Sequence, residues 1–527
     1  MQKMKNLAIR YSRRMLDLAK RLIVLHPFLF AMWPILAYYS SNKAQLTPTD
    51  LLVPSAIVLS AVFVVTALLW LIFKDVSKSA IVASVIAPLF LTANQILDSL
   101  LRAGQWRYSS TMTSWTLLLW SCLTLVFGLF LFSLFTVLAK TRRDLTKLTV
   151  LLSVVGVVLV IMPIATIVRY EAFDQSRASS PADTDWGELG SLPEELPDIY
   201  YIVLDAYASS ATLKEFYEYD NSQFTEYLKS KGFYVASQSR SNYNMTWMSL
   251  ASSLNMQYVN HLVDTSGLDY PLAREMVKNN RVVRYLKAAG YSFVHFSSGV
   301  GATDSNGNAD FAYTSSQGLN EFSVTLLRKT MAHRLLAGVI EGTQRDKILF
   351  TFSKMANLWG IEGPKFVFAH INCPHPPFVF GPNGERVPEA DLAFAGNVWE
   401  RKALYLDQLV YTNVLTMTLI DTLLSQSRVS PIIILQSDHG PASYDVSGQP
   451  TDDYLRQRFG NLNAYFLPGA GNSVLYENIT PVNTFRVIFD FYFGTHFGLL
   501  EQRSYYESYN PPYEFFDATD RLGDTST

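Results

Sequence analysis

Asp205, Asp438 and His439 each stand where an apolar run of this chain turns polar. In "PIIILQSDHGPAS", Pro431 to Ser443, four apolar residues give way to Gln436 and Ser437 and then to Asp438, His439 and Gly440. In "DIYYIVLDAYASS", the β-branched and aromatic run Ile199–Leu204 stops at Asp205. A third run, Phe366–Ala369 in "GPKFVFAHINCPHPPF", leads into His370 and His375. Two carboxylates and an imidazole form a ligand set suited to a divalent cation of the zinc or manganese type. Each fragment also has a plain structural explanation. An acid after a strand often closes a turn, and a lone histidine is often satisfied by its neighbours. The shared position at three strand ends favours chemistry, because α/β sites gather at the carboxyl ends of strands.

A hydroxyl belongs with this set. In "SRSNYNMTWMSLASSLNMQY", Trp247, Leu250, Ala251 and Leu254 share one face of a helix, and Thr246 sits at its N-cap or first turn. Threonine is a favoured capping residue. The same place is equally suited to a nucleophile. A helix N-terminus presents free N–H groups and a positive dipole end to a phosphate, and a nearby cation would lower the hydroxyl pKa.

The elements around these residues explain how they could meet. "NSQFTEYLKSKGFYV" and "VVRYLKAAGYSFVHF" both run helix, glycine, strand, the second ending near His295; the helical "ALYLDQLVYTNVLTMTLIDTLL" precedes the strand of Pro431–Ser443. Strands alternating with helices predict a mostly parallel sheet covered on both faces, whose strand ends share one edge. The Gly-, Asn- and Asp-rich stretch Ser297–Phe311 reads as a loop at that edge.

The N-terminal third has another character. Across 527 residues the chain is 49% hydrophobic, with mean hydropathy +0.12, which is high for a soluble enzyme. The excess lies in five runs, Leu22–Tyr39, Val53–Phe73, Ser79–Ile96, Ser114–Leu138 and Leu148–Val168, each about long enough to cross a bilayer. Pro88, Asn94 and Gln95 interrupt the third. Basic residues crowd before the first run (Lys3 to Arg21) and in the second and fourth connections (Lys74, Lys78; Lys140 to Lys147). By the positive-inside rule the N-terminus is cytoplasmic, and five crossings put everything after Arg169 outside. The expected organisation is a basic cytoplasmic segment over 1–21, a five-helix transmembrane domain over 22–169, a polar linker over 170–197 and an extracytoplasmic α/β domain over 198–527. A net charge of −2 offers no basic field for nucleic acid. Two cysteines, Cys122 and Cys373, build neither a disulfide framework nor a thiolate zinc site.

In order, a strand ending in Asp205, Thr246 before a helix, His370 and His375 spaced H-x4-H, and then "SDHG" resemble the alkaline phosphatase/sulfatase superfamily. The spans followed by an outer domain resemble its membrane branch, the lipoteichoic acid synthases and the phosphoethanolamine or phosphoglycerol transferases. The resemblance covers most of Asp198 to Gly498. It implies a bundle of five transmembrane helices joined to a sulfatase-like α/β domain with a mostly parallel central sheet, in a bacterial-type plasma membrane. It also implies that Asp205, Thr246, Asp438 and His439 hold a divalent metal ion (manganese, zinc, magnesium or calcium), with a second ion as a further option. Thr246 would be the nucleophile, and His375 would face the leaving or entering oxygen. His370, Arg456 and Arg458 would be substrate-binding candidates.

The chain departs from the pattern in several places. Membrane transferases of this group usually carry Glu where Asp205 stands, and their extra histidine after "DHG" has no counterpart. Threonine cannot become formylglycine, so sulfate hydrolysis through that group is disfavoured. The implied activity is transfer of a phosphoryl-linked headgroup from a membrane phospholipid to a glycan or lipid acceptor through a phospho-threonine. An ester hydrolase and a non-catalytic membrane scaffold are the alternatives.

Overall fold

The structure is a computed structural model that describes residues 25–43, 46, 48–103, 112–170, 172, 195–260, 271–315, 321–387, 398–441, 450–508 and 514–523. The expected basic segment over 1–21 and most of the linker lie outside these residues. Two compact units divide the chain. One comprises Met1–Phe173 with Phe322–Ala337, the other Asp174–Glu321 with Gly338–Thr527. A division by chain order alone would place Phe322–Ala337 in the second unit; its contacts place it in the first.

The first unit is helical, with α1 (His26–Ser41), α2 (Leu52–Phe73), α3 (Val76–Ala103), α4 (Met112–Lys140) and α5 (Thr146–Arg169). Four stretches, Pro48–Phe73, Val76–Ile96, Ser121–Lys140 and Thr146–Arg169, are long and apolar enough to cross a membrane. The first expected span is seen as the 16 residues of α1, shorter than the roughly 20 a crossing needs, with residues 1–24 beyond description. Large apolar side chains such as Phe63, Phe132 and Met162 point outward, the arrangement expected where the solvent is lipid. The polar interruption in the third span has a purpose. Asn94 Nδ2 donates to the carbonyls of Arg328 (2.7 Å) and Thr330 (3.1 Å), and Phe322 packs with Ile35 and Tyr39. A polar side chain among apolar helices is stable when its hydrogen bonds are met in this way.

The second unit is built on a seven-stranded sheet of order β2-β7-β6-β1-β5-β3-β4. Its strands are β1 (Ile199–Leu204), β2 (Tyr234–Val235), β3 (Ser292–Phe296), β4 (Phe311–Tyr313), β5 (Lys365–Ile371), β6 (Ile432–Gln436) and β7 (Asn463–Phe466). The run β6-β1-β5-β3-β4 is parallel, while β7 pairs antiparallel with both β6 and β2. The sheet is therefore mixed, though mostly parallel. Both faces are covered, which is why its strands read as unbroken apolar runs. Successive residues of β1 alternate between two cores: Ile199, Tyr201 and Val203 enter one, Tyr200, Ile202 and Leu204 the other.

Register sets the site. Val203 lies opposite His370 on one side and Gln436 on the other. Two residues further along each of two neighbouring strands, Asp205 and Asp438 emerge at the same level of the sheet. Helix α6 (Thr246–Asn255) packs below them, and Ser249 Oγ donates to the Asp438 carbonyl at 2.7 Å.

A candidate metal and nucleophile site

The chain leaves β1 through Ala206, whose φ of 59° is left-handed. An alanine pays roughly 1–2 kcal/mol for that conformation. Here the turn lets the Ala206 N–H donate to Asp438 Oδ1 at 3.2 Å, which ties the two carboxylate loops together. Gly440 of "SDHG" has a different reason for its type. A Cβ there would run into the carbonyl oxygens of Gln457 and Gly460, so only glycine lets the backbone pass.

Asp205, Asp438 and His439 are all buried and bring their ligand atoms within 4.8 Å of one another. His439 Nε2 is 3.2 Å from Asp438 Oδ2 and 4.0 Å from Asp205 Oδ1. Thr246 Oγ1 lies 3.1 Å from the same nitrogen. His439 Nδ1 is 3.0 Å from the Gly440 carbonyl. A carbonyl can only accept, so Nδ1 carries the proton and Nε2 turns its lone pair to the centre. Asp205 Oδ1 and Asp438 Oδ2 are buried with no hydrogen-bond partner. An orphaned buried carboxylate oxygen costs several kcal/mol unless a cation or donor meets it. Two such oxygens facing an imidazole lone pair and a hydroxyl fit a divalent cation.

The protonation states agree with that fit. Burial pushes the Asp205 carboxyl up, but the imidazoles of His375, His370 and His439 outweigh it and hold the group below the ordinary carboxylate range. Burial and the Arg458 guanidinium push His439 down to about 4, against the pull of Asp438 and Asp205. Near neutral pH the centre therefore offers an ionised Asp205 and a neutral imidazole.

Thr246 is the first residue of α6, and Met245 holds the N-cap position without a side-chain cap. The hydroxyl does not cap its helix but reaches His439, which separates the two roles the sequence left level. The residue is half-buried, whereas the rest of the cluster is enclosed.

The other candidates separate by position. His375 is half-buried, its N–H bonded to the Asp205 carbonyl at 3.1 Å and its ring edge-on to Trp399. Its Nδ1 lies 2.6 Å from the Pro376 carbonyl, which leaves Nε2 as the atom able to exchange a proton. His370 is enclosed. Its Nε2 sits 3.2 Å from Asp205 Oδ2, at ion-pair distance but off-line for a hydrogen bond, and Nδ1 meets Thr303 Oγ1 at 2.7 Å. Burial pulls this imidazole down, and Asp205 and Asp438 more than reverse it, so its pKa is raised. His370 is thus enclosed between Asp205 and Thr303. Thr303 belongs to the loop Ser297–Phe311, which reaches the cluster by holding that histidine.

Arg458 is buried in the site. Nη2 is 2.9 Å from His439 Nε2, Nε donates to the Asn244 carbonyl and Nη1 to that of Gly440. Arg456, two residues earlier, lies at the surface in ion pairs with Glu215 (3.0 Å) and Asp453 (2.7 Å), away from the centre. Sequence reasoning missed Asn244. Its side chain accepts from the Glu507 N–H at 2.7 Å and donates to the Glu507 carbonyl at 3.1 Å, while its own carbonyl holds Arg458. It clamps the segment before Thr246 to strand Tyr505–Ser508. Nothing local distinguishes it from any loop asparagine.

A parallel-centred α/β sheet with a nucleophile at a helix start and carboxylates at neighbouring strand ends defines the class to which this domain belongs. The model of the sulfatase family matches residues 197–485, and the chain belongs to that family. Among solved structures, it is similar to the C-terminal periplasmic domain of EcEptC from Escherichia coli, at 12% identity and TM-score 0.42, covering 63% of this chain and 96% of that one. That domain is also known in complex with Zn. The integral membrane lipooligosaccharide phosphoethanolamine transferase A of Neisseria meningitidis is similar at 15% identity and TM-score 0.40, over 89% of this chain and 95% of that one. No curated protein sequence matches the chain.

Proposed function

We propose that the protein is a membrane-anchored, metal-dependent transferase. It moves a phosphoryl-linked headgroup, phosphoethanolamine or phosphoglycerol, from a phospholipid donor to a glycan or lipid acceptor through a phospho-threonine at Thr246. The observation that carries this reading is the Thr246 hydroxyl 3.1 Å from His439 Nε2, freed from capping and beside two orphaned carboxylate oxygens. An odd number of crossings from a cytoplasmic N-terminus would put the domain outside the membrane, where a tether raises its effective concentration against a lipid donor.

A divalent cation held by Asp205, Asp438, His439 and Thr246 would supply Lewis acidity, acidifying the hydroxyl and offsetting phosphoryl charge. Thr246 Oγ1 attacks phosphorus as its proton passes to solvent water. The Oγ1–P bond forms while the P–O bond to diacylglycerol breaks, and His375 Nε2 or water protonates the departing oxygen. In the second half the acceptor hydroxyl loses its proton to His375 Nε2 or water, its O–P bond forms, Oγ1–P breaks, and Oγ1 takes a proton back from water. The positive end of α6 would offset the charge that spreads over the phosphoryl oxygens, and the Arg458 guanidinium adds positive charge beside His439.

Incubating the full-length protein with phosphatidylethanolamine or phosphatidylglycerol should release diacylglycerol and add one headgroup-sized mass to Thr246. Thr246→Ala should do neither while keeping its metal. Diacylglycerol release that persists in Thr246→Ala would overturn the covalent route, and water-dependent release with no transfer to any acceptor would make the enzyme a hydrolase.

A further inference from the structure

A concavity of about 550 Å³ lies on the second unit and is lined by none of the residues of the metal and nucleophile site. Its volume is within the range of small-molecule sites. At its wall stands Thr480, in the N-cap position of helix Pro481–Phe493 but making no side-chain cap. Asn242 caps in its place, its Oδ1 accepting from the Val482 N–H at 2.8 Å. The Thr480 hydroxyl is thereby released. It is 2% exposed and without a hydrogen-bond partner, and it lines the pocket. A buried hydroxyl left unmet is destabilising, which points to a ligand that meets it.

The charges of the pocket argue against an anion. Arg503 is paired with Glu501 at 2.7 Å and Asp517 at 2.9 Å. Arg240 Nη2 donates to the Leu522 carbonyl at 3.2 Å and keeps its charge, so the two guanidinium groups at the pocket are balanced by Glu501 and Asp517. Around the Thr480 hydroxyl the wall is otherwise neutral: the Asn478 amide, the Gln502 amide at the Tyr476 hydroxyl, the Tyr476 ring and the apolar Leu499. Asn483 Nδ2 lies 3.3 Å from the Tyr476 hydroxyl and helps fix that ring. Amides pair with adjacent hydroxyls as donor and acceptor together, and an aromatic or aliphatic face covers the C–H side of a pyranose. We infer that this pocket is a binding site for a neutral carbohydrate of one or two sugar units, separate from the catalytic centre. The inference rests on the pocket alone and does not depend on the transfer chemistry.

Saturation-transfer NMR tests it on the full-length protein in a detergent without a sugar headgroup, with glucose, galactose, N-acetylglucosamine, maltose and N,N′-diacetylchitobiose as probes and inorganic phosphate as the anionic competitor. At least one sugar should receive saturation. Its affinity should fall tenfold or more in Thr480→Val and in the surface variant Gln502→Ala, each with an unchanged melting temperature, and should be unaltered in Thr246→Ala. Saturation of no sugar, indifference to Gln502→Ala, displacement by phosphate or loss in Thr246→Ala would each overturn the assignment. Should Thr480→Val fail to fold, Gln502→Ala decides alone.

Discussion

Two groups of buried polar side chains sit on strand β6 and its neighbours, only two residues apart in sequence, and they differ in whether they are satisfied. Around Gln436 the accounts close. Tyr201 Oη donates to Gln436 Oε1 at 2.7 Å, and Gln436 Nε2 donates to Asn463 Oδ1 at 3.0 Å and Thr484 Oγ1 at 3.1 Å. Around Asp438 they do not, since Asp438 Oδ2 and Asp205 Oδ1 have no donor. Burial of polar groups is thus no mark of a site. The first group rigidifies the sheet, and the second is a cost the fold carries for a ligand.

The sharpest way to break that contrast is Asp438→Asn. It keeps an acceptor for the Ala206 N–H but removes a charge from the ligand group. Metal per protein, measured by plasma mass spectrometry, should fall from near one to near zero and turnover by about 10³-fold or more, with thermal unfolding in chelator unchanged. Retained metal would place the cation elsewhere. Gln436→Leu should do the opposite. Leaving the Tyr201 hydroxyl and the Asn463 carbonyl unmet should destabilise the domain by about 3 kcal/mol in denaturant titration, with metal stoichiometry intact.

A third test probes a buried imidazole outside both groups. Burial pushes His295 down to about 4, with smaller contributions from Asp304, Lys278 and His370. Its folded pKa lies below the unfolded value near 6.5, so the unfolded chain binds more protons between those values. The stability it contributes is complete above pH 6.5 and is lost as pH falls towards 4. Between pH 7 and 5 the wild type should lose about 2 kcal/mol more than His295→Gln; equal slopes would refute the burial. The smallest effect belongs to Arg456→Ala. Its ion pairs are exposed and worth at most about 1 kcal/mol, so turnover should change less than twofold, and a larger loss would bring that guanidinium into the site.

Much of the site was legible because strand-end residues announce themselves. Asp205, Asp438 and His439 follow apolar runs long enough to be buried strands, and parallel strands share an edge. The two arginines were not separable. Arg456 and Arg458 stand on one short helix, Asp452–Phe459, and only packing against Asn244 and Gly440 turns one inward. The sequence puts His370 at a strand end but does not show its partners; in the fold its ring meets Thr303 and Asp205. Asn94, which weakened the third apolar run, proved to be satisfied by carbonyls more than two hundred residues away.

The sequence by itself determined the partition into apolar helices and an α/β domain, the strands, and the residue types that could bind a cation and a phosphate. Those follow from local rules of hydropathy and periodicity, which act over a few turns. Tertiary structure alone decided that Thr246 points at His439 and does not cap its helix, and which carboxylate oxygens go unmet. It also decided that Asn242 caps the helix of Thr480. Each depends on atoms brought within about 3 Å from distant parts of the chain, and hydrogen-bond geometry at that range is set by packing, which no local pattern encodes.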